Sequence, residues 1–169
     1  MLTFSKMHGI GNDYIYINCF QEKVSDPEKL SVFLSDVRFG VGSDGLVLIL
    51  PSDKADFRMR IFNADGSEAM MCGNATRCIG KYVYDMGMTT KTEISLETNS
   101  GIKYLTLYPG ADGKIESVKV DMGKAILVPK EIPVDSPLDR FIAQPVTVDG
   151  TEYAMTCVFM GNPHAVVFL

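Results

Sequence analysis

Hydrophobic and polar side chains alternate with a period of two over residues 57–63, Phe-Arg-Met-Arg-Ile-Phe-Asn. This pattern is typical of a β-strand that is buried on one face. The continuous apolar run at 46–50 indicates a strand that is covered on both faces. Further segments with strand character, bounded by turn-forming residues, are predicted at 4–7, 14–20, 93–98, 101–108, 115–122, 145–148 and 152–160.

Two segments have helical character instead. Residues 28–37 follow Asp26-Pro27, a pair suited to the N-cap and first helical positions. Residues 76–85 form a second helix-like run. One long helix among many strands, without alternating β-α-β units, predicts an α+β fold with a mixed or antiparallel sheet.

The segment Met71-Cys72-Gly73-Asn74 is the most informative part of the chain, because its spacing places Cys72 at or just before the first turn of that helix. Backbone N–H groups there lack intrahelical partners and carry partial positive charge. They would stabilise a thiolate, and they can also hold a substrate carboxylate. From this segment alone, a buried structural cysteine with an Asn cap is an equally good interpretation.

Composition limits the partners and cofactors that this chain is expected to have. The chain has 169 residues, a net charge of −5 and no block of like charges, which favours neither nucleic acid nor a membrane surface as a partner. Its four cysteines match no zinc or disulfide framework, and neither histidine has a ligand-type neighbour at metal spacing. Neither a signal peptide nor an apolar run of about 18 residues is evident, so we expect a cytoplasmic protein with free thiols.

A glycine-rich segment at 40–45 matches the dinucleotide pattern G-x-G-x-x-G. That motif requires a preceding strand and a following helix, whereas here a helix precedes and a strand follows. We therefore interpret it as a connection, and a role in shaping a ligand pocket stays open.

Cys78 and Cys157 are expected in the core, and His164 at a turn. Four loop asparagines could supply amide groups to a zwitterionic ligand: Asn12, Asn63, Asn74 and Asn162.

Five ordered segments, spread over nearly the whole chain, carry a family resemblance. They are residues 6–13, 39–45, 62–68, 71–78 and 160–164. Together they closely resemble the diaminopimelate epimerase family. Proline racemases and phenazine-biosynthesis isomerases, which share the fold, tend to have His where this chain has Asn74, which favours the epimerases.

The resemblance implies a diaminopimelate-epimerase-like α+β fold of two pseudo-symmetric domains, each with strands wrapped around a central helix. It implies an isomerase that interconverts LL- and meso-2,6-diaminopimelate in lysine and peptidoglycan precursor biosynthesis. The family uses no cofactor, neither pyridoxal phosphate nor metal. One cysteine thiolate removes the α-proton, and a thiol on the opposite face returns a proton.

The resemblance also implies roles for individual residues. Cys72 is one catalytic cysteine, and His164 is a candidate for tuning a thiol's protonation state. The expected substrate-binding residues are Gly73 and Asn74 at the α-carboxylate, with Asn12, Asn63 and Asn162 at other polar groups. The expected partner is the small molecule diaminopimelate, and a homodimer is left open.

The sequence stops directly after the Asn-Pro-His motif, whereas the resemblance implies a second half with an Ala-Cys-Gly-Thr segment and a Glu-Arg pair. We therefore predict that 1–118 form the N-terminal epimerase domain and that 119–169 are the opening strands of an incomplete second domain. A chain without the second catalytic cysteine is expected to be inactive. The alternatives are a related cofactor-independent amino-acid racemase and a non-catalytic ligand-binding half-domain.

Overall fold

The computed structural model describes residues 2–168 and divides into two units, the first ending at Asp121 and the second beginning at Met122. The first unit contains both helices, α1 (Pro27–Ser35) and α2 (Gly73–Asp85). Its strands are β1 (Ser5–Gly9), β2 (Asn12–Asn18), β3 (Gly45–Leu50), β4 (Phe57–Asn63), β5 (Glu68–Ala69), β6 (Glu93–Thr98), β7 (Gly101–Pro109) and β8 (Ile115–Asp121). The second unit has a short 3-10 turn (Pro129–Glu131) and the strands β9 (Gln144–Val148), β10 (Thr151–Phe159) and β11 (Pro163–Val167).

The first unit is a mixed sheet that curves around α2. The strand order is β1-β2-β3-β4-β6-β7-β8, with β5 paired to β4. The β2/β3 and β4/β6 pairs are parallel and the others are antiparallel. Because α2 contacts β1 and β2 at one end of this order and β7 and β8 at the other, the sheet wraps around the helix. The predicted α+β fold with strands around a central helix is confirmed.

Side chains of β2 and β3 are buried on both faces of the sheet. Tyr16 and Val47 point into the core that α2 fills. Their neighbours Ile17 and Leu46 point to the opposite face, where α1 contributes Leu34. Each such side chain stabilises the fold by about 1.5–3 kcal/mol relative to exposure. Double-sided burial therefore explains the continuous apolar run at 46–50.

A glycine allows α2 to lie close to the sheet. A Cβ on Gly80 would come within 2.8 Å of Leu107, 3.1 Å of Leu105 and 3.2 Å of Val118. Alanine at position 80 would therefore require the side chains of Leu105 and Leu107 to shift.

The two helices begin differently. Asp26 is the N-cap of α1, and its carboxylate accepts a hydrogen bond from the backbone N–H of Lys29 at 3.2 Å. The helix ends at Ser35, two residues before the predicted end, because Asp36 leaves the helical conformation and its carboxylate caps the N–H groups that follow it. Cys72 is the N-cap of α2, so this helix begins at Gly73, upstream of the predicted run 76–85.

Two local predictions were wrong, and one strand was not predicted. The polar turn expected at 8–13 is a two-residue turn at Ile10 and Gly11, whose φ values are 56° and 83°. The second unit forms an antiparallel sheet in the order β11-β10-β9, and β11 had not been predicted. His164 therefore lies within β11, opposite Val158, and not at a turn. Pro163 argued against a strand in the sequence, because proline cannot donate a hydrogen bond to a neighbouring strand. The proline is tolerated because it occupies the first position of β11.

The predicted division at 118/119 falls inside β8, which pairs with β7 as far as Asp121. The identity of the two predicted domains stays a prediction. Neither α1, α2 nor any other helix within residues 2–168 is long and apolar enough to cross a membrane.

Candidate active site

The start of α2 meets the ends of several strands. Because β2 and β3 run parallel, with Ile15 opposite Leu46, both strands begin at the same end of the sheet. The antiparallel pairing of β3 with β4 brings Asn63 opposite Gly45 at the same end of the sheet. The β1–β2 turn is also close, since Gly9 contacts the first turn of α2. Segments distant in sequence therefore converge on one site.

Cys72 presents its thiol at the N-terminal end of α2. Its backbone is extended (φ −140°, ψ 116°) and its side chain makes no capping hydrogen bond. Its carbonyl oxygen accepts from both the N–H and the hydroxyl of Thr76 at 2.9 Å. The half-buried thiol therefore lies beside first-turn N–H groups that it does not satisfy. The predicted position of Cys72 at the helix start is confirmed.

Two asparagine amides connect Cys72 to charged residues. Oδ1 of Asn12 lies 3.5 Å from the Cys72 sulfur and 3.4 Å from Nδ2 of Asn74. Nδ2 of Asn12 donates to Oδ2 of Asp44 at 2.6 Å. The guanidinium of Arg77 donates to Oδ1 of Asn74. Asn12 thus contacts Cys72 and Asn74 through Oδ1 and the Asp44 carboxylate through Nδ2. Asn74 contacts Asn12 through Nδ2 and the Arg77 guanidinium through Oδ1.

The glycine-rich segment carries Asp44 into the site. It follows α1 and leads into β3, so the interpretation as a helix-to-strand connection is confirmed. A Cβ on Gly45 would collide with the carbonyl oxygen of Phe62, which makes glycine necessary where this loop enters the sheet. Lys6 anchors the loop through the carbonyl of Gly42 at 2.5 Å and forms an ion pair with Asp13 at 2.9 Å.

Two buried tyrosines of β2 lie on the side of α2 that carries the cysteines. Burial, followed by the proximity of Cys72, raises the pKa of Tyr14 to about 12. Burial also raises the pKa of Tyr16 and, within α2, that of Cys78. All three groups therefore remain protonated at neutral pH. Cys78 is 6% exposed and belongs to the core, as predicted.

Asn63 lies near this cluster, but its side chain is bonded elsewhere. Its backbone N–H donates to the carbonyl of Ser67 at 2.8 Å, and its Nδ2 donates to the Ser67 hydroxyl at 3.0 Å. The carbonyl of Asn63 accepts from the Ser31 hydroxyl at 2.8 Å. The turn at 63–67 thus fixes Asn63 at the end of β4 independently of Asn12 and Asn74.

The site thus brings together the Cys72 thiol, the side-chain amides of Asn12 and Asn74, and the N–H groups at the start of α2. Within residues 2–168, no cluster of three or more His, Cys, Asp or Glu side chains is arranged to hold a metal ion. First-turn N–H groups bind a carboxylate, and a thiol beside them can take up or release a proton. The arrangement therefore suits proton transfer next to a bound carboxylate.

The family model described as diaminopimelate epimerase matches residues 4–128. The chain belongs to the diaminopimelate epimerase family. The resemblance found in the five motifs is thereby confirmed, and the Cys72 cluster lies within the matched segment.

Among its relatives are the diaminopimelate epimerases of Acetivibrio thermocellus, 59% identical over 168 residues, and of Agathobacter rectalis, 58% identical over 175 residues. Both alignments cover 99% of this chain but only 60% and 61% of the relatives. The chain thus spans about 60% of the length of these curated diaminopimelate epimerases.

Solved structures confirm the fold of this diaminopimelate epimerase family member. A probable proline racemase from Agrobacterium radiobacter, solved with bound carbonate, superposes with a TM-score of 0.73 at 17% identity. The alignment covers 99% of this chain and 52% of the racemase.

The remaining predicted residues of this diaminopimelate epimerase family member, Asn162 and His164, lie in the second unit. Oδ1 of Asn162 is 2.9 Å from Nε2 of His164, and both side chains are exposed. Gly161, with a φ of 99°, makes the turn that precedes them.

Sequence reasoning missed three residues of the cluster: Asp44, Tyr14 and Arg77. Asp44 carried a usable signal, because it stands directly before a buried strand inside one of the five family motifs. Arg77 also lies inside one of these motifs, residues 71–78, but an arginine in a helix is otherwise ordinary. Tyr14 carried no signal, since an aromatic residue in a strand is common.

Proposed function

We propose that the protein containing this chain is an isomerase that interconverts LL- and meso-2,6-diaminopimelate on the route to lysine and peptidoglycan precursors. The observation that carries the proposal is the Cys72 thiol at the N-cap of α2, hydrogen-bonded to Asn12, in a chain of this family. Relatives at 59% and 58% identity are named diaminopimelate epimerases, which supports the substrate.

The chemistry requires strong stabilisation of a carbanion, because the α-proton of an amino acid is very weakly acidic. We propose that the N–H groups of Gly73 and Asn74 bind the α-carboxylate at the positive end of α2. Preorganised dipoles of this kind stabilise charge that develops next to them, most effectively where water is excluded. Cys72 would then face the α-carbon as the acid or base on one side.

Inversion requires a second group on the opposite face. We propose a second cysteine thiol, so that one thiolate takes the α-proton as the C–H bond breaks and the other thiol gives its proton to the opposite face. The proposed domains fit this scheme: residues 1–118 form the half that carries Cys72, and 119–169 begin the half that would carry its counterpart. No cofactor takes part in either proton transfer.

The remaining polar groups are proposed to recognise the rest of the substrate. Because Nδ2 of Asn63 donates to Ser67, its Oδ1 is the end left to accept a hydrogen bond, which suits an ammonium group. Asn162 supplies a second amide, and His164 beside it is proposed to tune the protonation of a thiol. A cytoplasmic location fits thiols that must stay reduced. A homodimer stays open.

The test uses the longer protein that contains this chain, with LL-diaminopimelate and no added pyridoxal phosphate. We expect meso product by chiral chromatography, and loss of turnover in Cys72→Ala with an unchanged circular dichroism spectrum. Alanine and proline should be poor substrates, since amides left unpaired in a closed site cost about 1–3 kcal/mol each. Comparable kcat/KM for proline would instead support a racemase, and binding without turnover a ligand-binding module.

A further inference from the structure

Arg77 contacts the start of α2 through the side chain of Asn74, and the roles that the family resemblance implies do not include it. We propose that Arg77 is a positioning residue that turns the donating end of the Asn74 amide towards a carboxylate bound at the start of α2. The inference deepens the proposed function and rests on it, because it takes the first turn of α2 as the site of the substrate's α-carboxylate. It holds for either protonation state of Cys72.

Arg77 lies three positions after Asn74, on the same face of α2. Side chains of a helix tilt towards its N-terminus, so residues three positions apart meet. The Arg77 guanidinium therefore reaches back over the first turn and donates to Oδ1 of Asn74. A cation near the N-terminal end of a helix opposes the helix dipole. Helix stability therefore does not explain the placement of this arginine.

The bond from Arg77 fixes which end of the Asn74 amide faces the site. An asparagine amide has an accepting end, Oδ1, and a donating end, Nδ2, and a guanidinium can only donate. Reversing the amide would bring two donors together. Oδ1 of Asn74 therefore stays with Arg77, and Nδ2 is directed to the other side, where it lies 3.4 Å from Oδ1 of Asn12.

Asp44 fixes the other amide of this contact. Nδ2 of Asn12 donates to Oδ2 of Asp44 at 2.6 Å, and a carboxylate can only accept. Oδ1 of Asn12 is therefore the end that faces Asn74, and the two amides are arranged head to tail between a guanidinium and a carboxylate. Neither amide can reverse without losing a charge-assisted hydrogen bond.

The oriented Asn74 amide adds a donor to those of the helix start. Its Nδ2 carries two N–H groups, and the contact with Asn12 uses one of them. The second N–H is left for a ligand, beside the first-turn N–H groups of α2. A carboxylate bound there would meet a donor from Asn74, whereas the reversed amide would present an acceptor and repel it. Because Oδ1 of Asn12 is also 3.5 Å from Sγ of Cys72, these donors lie close to the reacting sulfur.

Direct attraction by the Arg77 charge is the alternative explanation for any effect of this residue on a carboxylate. A direct charge would act whether or not Asn74 has its amide, and it would weaken as salt screens it. A role through the amide requires Asn74. Removing Arg77 with and without the Asn74 amide therefore separates the two explanations.

The test compares the alkylation of Cys72 by iodoacetate and by iodoacetamide in the 169-residue chain, at one fixed pH, by peptide mass spectrometry. The two reagents are similar in size, but only iodoacetate carries a carboxylate. Because both react with the same thiolate, the ratio of their rates does not depend on the ionised fraction of Cys72. The ratio of iodoacetate to iodoacetamide rates should be about tenfold higher in the folded chain than in a urea-denatured sample, which lacks the helix start.

Arg77→Met should lower this ratio about fivefold, since the carboxylate then loses an oriented donor. Asn74→Ala should lower it to the same extent, and Arg77→Met should add nothing in the Asn74→Ala background. Asn74→Ala keeps the Cβ and the carbonyl oxygen that lie closest to Gly9, so the packing of the helix start is retained. Lys81→Met is the matched control, because it removes a cation of α2 that pairs with Asp85 and should leave the ratio unchanged.

A high ratio in the unaltered chain that stays unchanged in Arg77→Met would overturn this inference alone. A loss that persists in the Asn74→Ala background would also overturn it, since Arg77 would then act by direct charge. A ratio in the unaltered chain no higher than in urea would overturn the proposed carboxylate site as well. If Arg77→Met fails to fold, Arg77→Ala takes its place, because alanine is the residue that most favours a helix. No diaminopimelate is used, so a failed epimerase assay of the longer protein would leave this result readable.

Discussion

Gly9 at the end of β1 lies directly against Asn74 in the first turn of α2. A Cβ on Gly9 would come within 3.1 Å of both the Cβ and the carbonyl oxygen of Asn74. Few real Cβ atoms have contacts this short, so the absence of a side chain sets the separation between the two elements. Asn12 begins β2 directly after the turn that follows Gly9, and Cys72 is the N-cap of α2, so glycine at position 9 controls the geometry of the site.

Gly9→Ala should displace the start of α2 by a few tenths of an ångström. We expect kcat/KM for diaminopimelate in the longer enzyme to fall about tenfold, because proton transfer is sensitive to small misplacements. The free energy of unfolding should fall by about 1–3 kcal/mol from overpacking. Gly110→Ala is the matched control, since a Cβ there would have ordinary contacts at 3.4–3.6 Å. An unchanged kcat/KM in Gly9→Ala would show that the site tolerates this displacement.

Cys72 should be the fastest thiol to react with iodoacetamide in the folded chain. Cys78 and Cys157 are only 6% and 5% exposed, whereas Cys72 is half-buried at a helix start. Cys19 is also partly accessible, but burial and the nearby Glu22 raise its pKa. Mass spectrometry of each cysteine peptide gives the four rates, and a urea-denatured sample serves as the control in which the ranking disappears. Faster labelling of Cys78 or Cys157 in the native state would contradict the assignment.

The sequence predicts those features that local periodicity encodes. The alternation at 57–63 matches β4 residue for residue, and the Cys-Gly-Asn spacing predicts the start of α2. The contacts between Asn12 and Asp44 and between Cys72 and Asn12 span 32 and 60 residues, respectively. The first contact depends on the parallel pairing of β2 with β3 and the second on the packing of α2 against β1 and β2. No local pattern specifies either. The members of the site were therefore largely predictable, whereas their hydrogen bonds were not.

Acid should remove one specific source of stability. The carboxylate of Asp56 accepts from Lys91 and from the backbone N–H of Ser95, and these bonds lower its pKa from 3.8 to about 2. Because the pKa is lower in the folded state, the carboxylate stabilises the fold above about pH 4, and this contribution is lost as the pH falls through about 2.

Asp56→Asn should therefore lower the free energy of unfolding at pH 7 by about 1 kcal/mol, a value reduced for solvent screening because Lys91 is largely exposed. Urea denaturation at pH 7 and at pH 2 measures the effect, and the difference from the unaltered chain should shrink at the lower pH. Asp53→Asn removes an exposed carboxylate of the same loop and serves as the control. An equal loss at both pH values would mean that the carboxylate's charge is not responsible.

The 169-residue chain by itself should not interconvert diaminopimelate stereoisomers. Inversion requires an acid and a base on opposite faces of the α-carbon, and Cys72 accounts for one face only. The other three cysteines are poorly suited to the second role. Cys78 and Cys157 are buried, and Cys19 follows β2 instead of starting a helix, so no first-turn N–H groups support its thiolate.

The measurement incubates the purified chain with LL-diaminopimelate and follows the meso isomer by chiral chromatography. The longer protein, prepared from the same host, serves as the positive control, and Cys72→Ala in the 169-residue chain reports contamination by host enzyme. We expect the chain and its Cys72→Ala variant to give the same background. Turnover that co-elutes with the chain in size-exclusion chromatography and disappears in Cys72→Ala would contradict the prediction, because Cys72 would then be working with a second group. That group would be another cysteine of the chain or the Cys72 of a second copy, and the elution volume of the active fraction would distinguish the two.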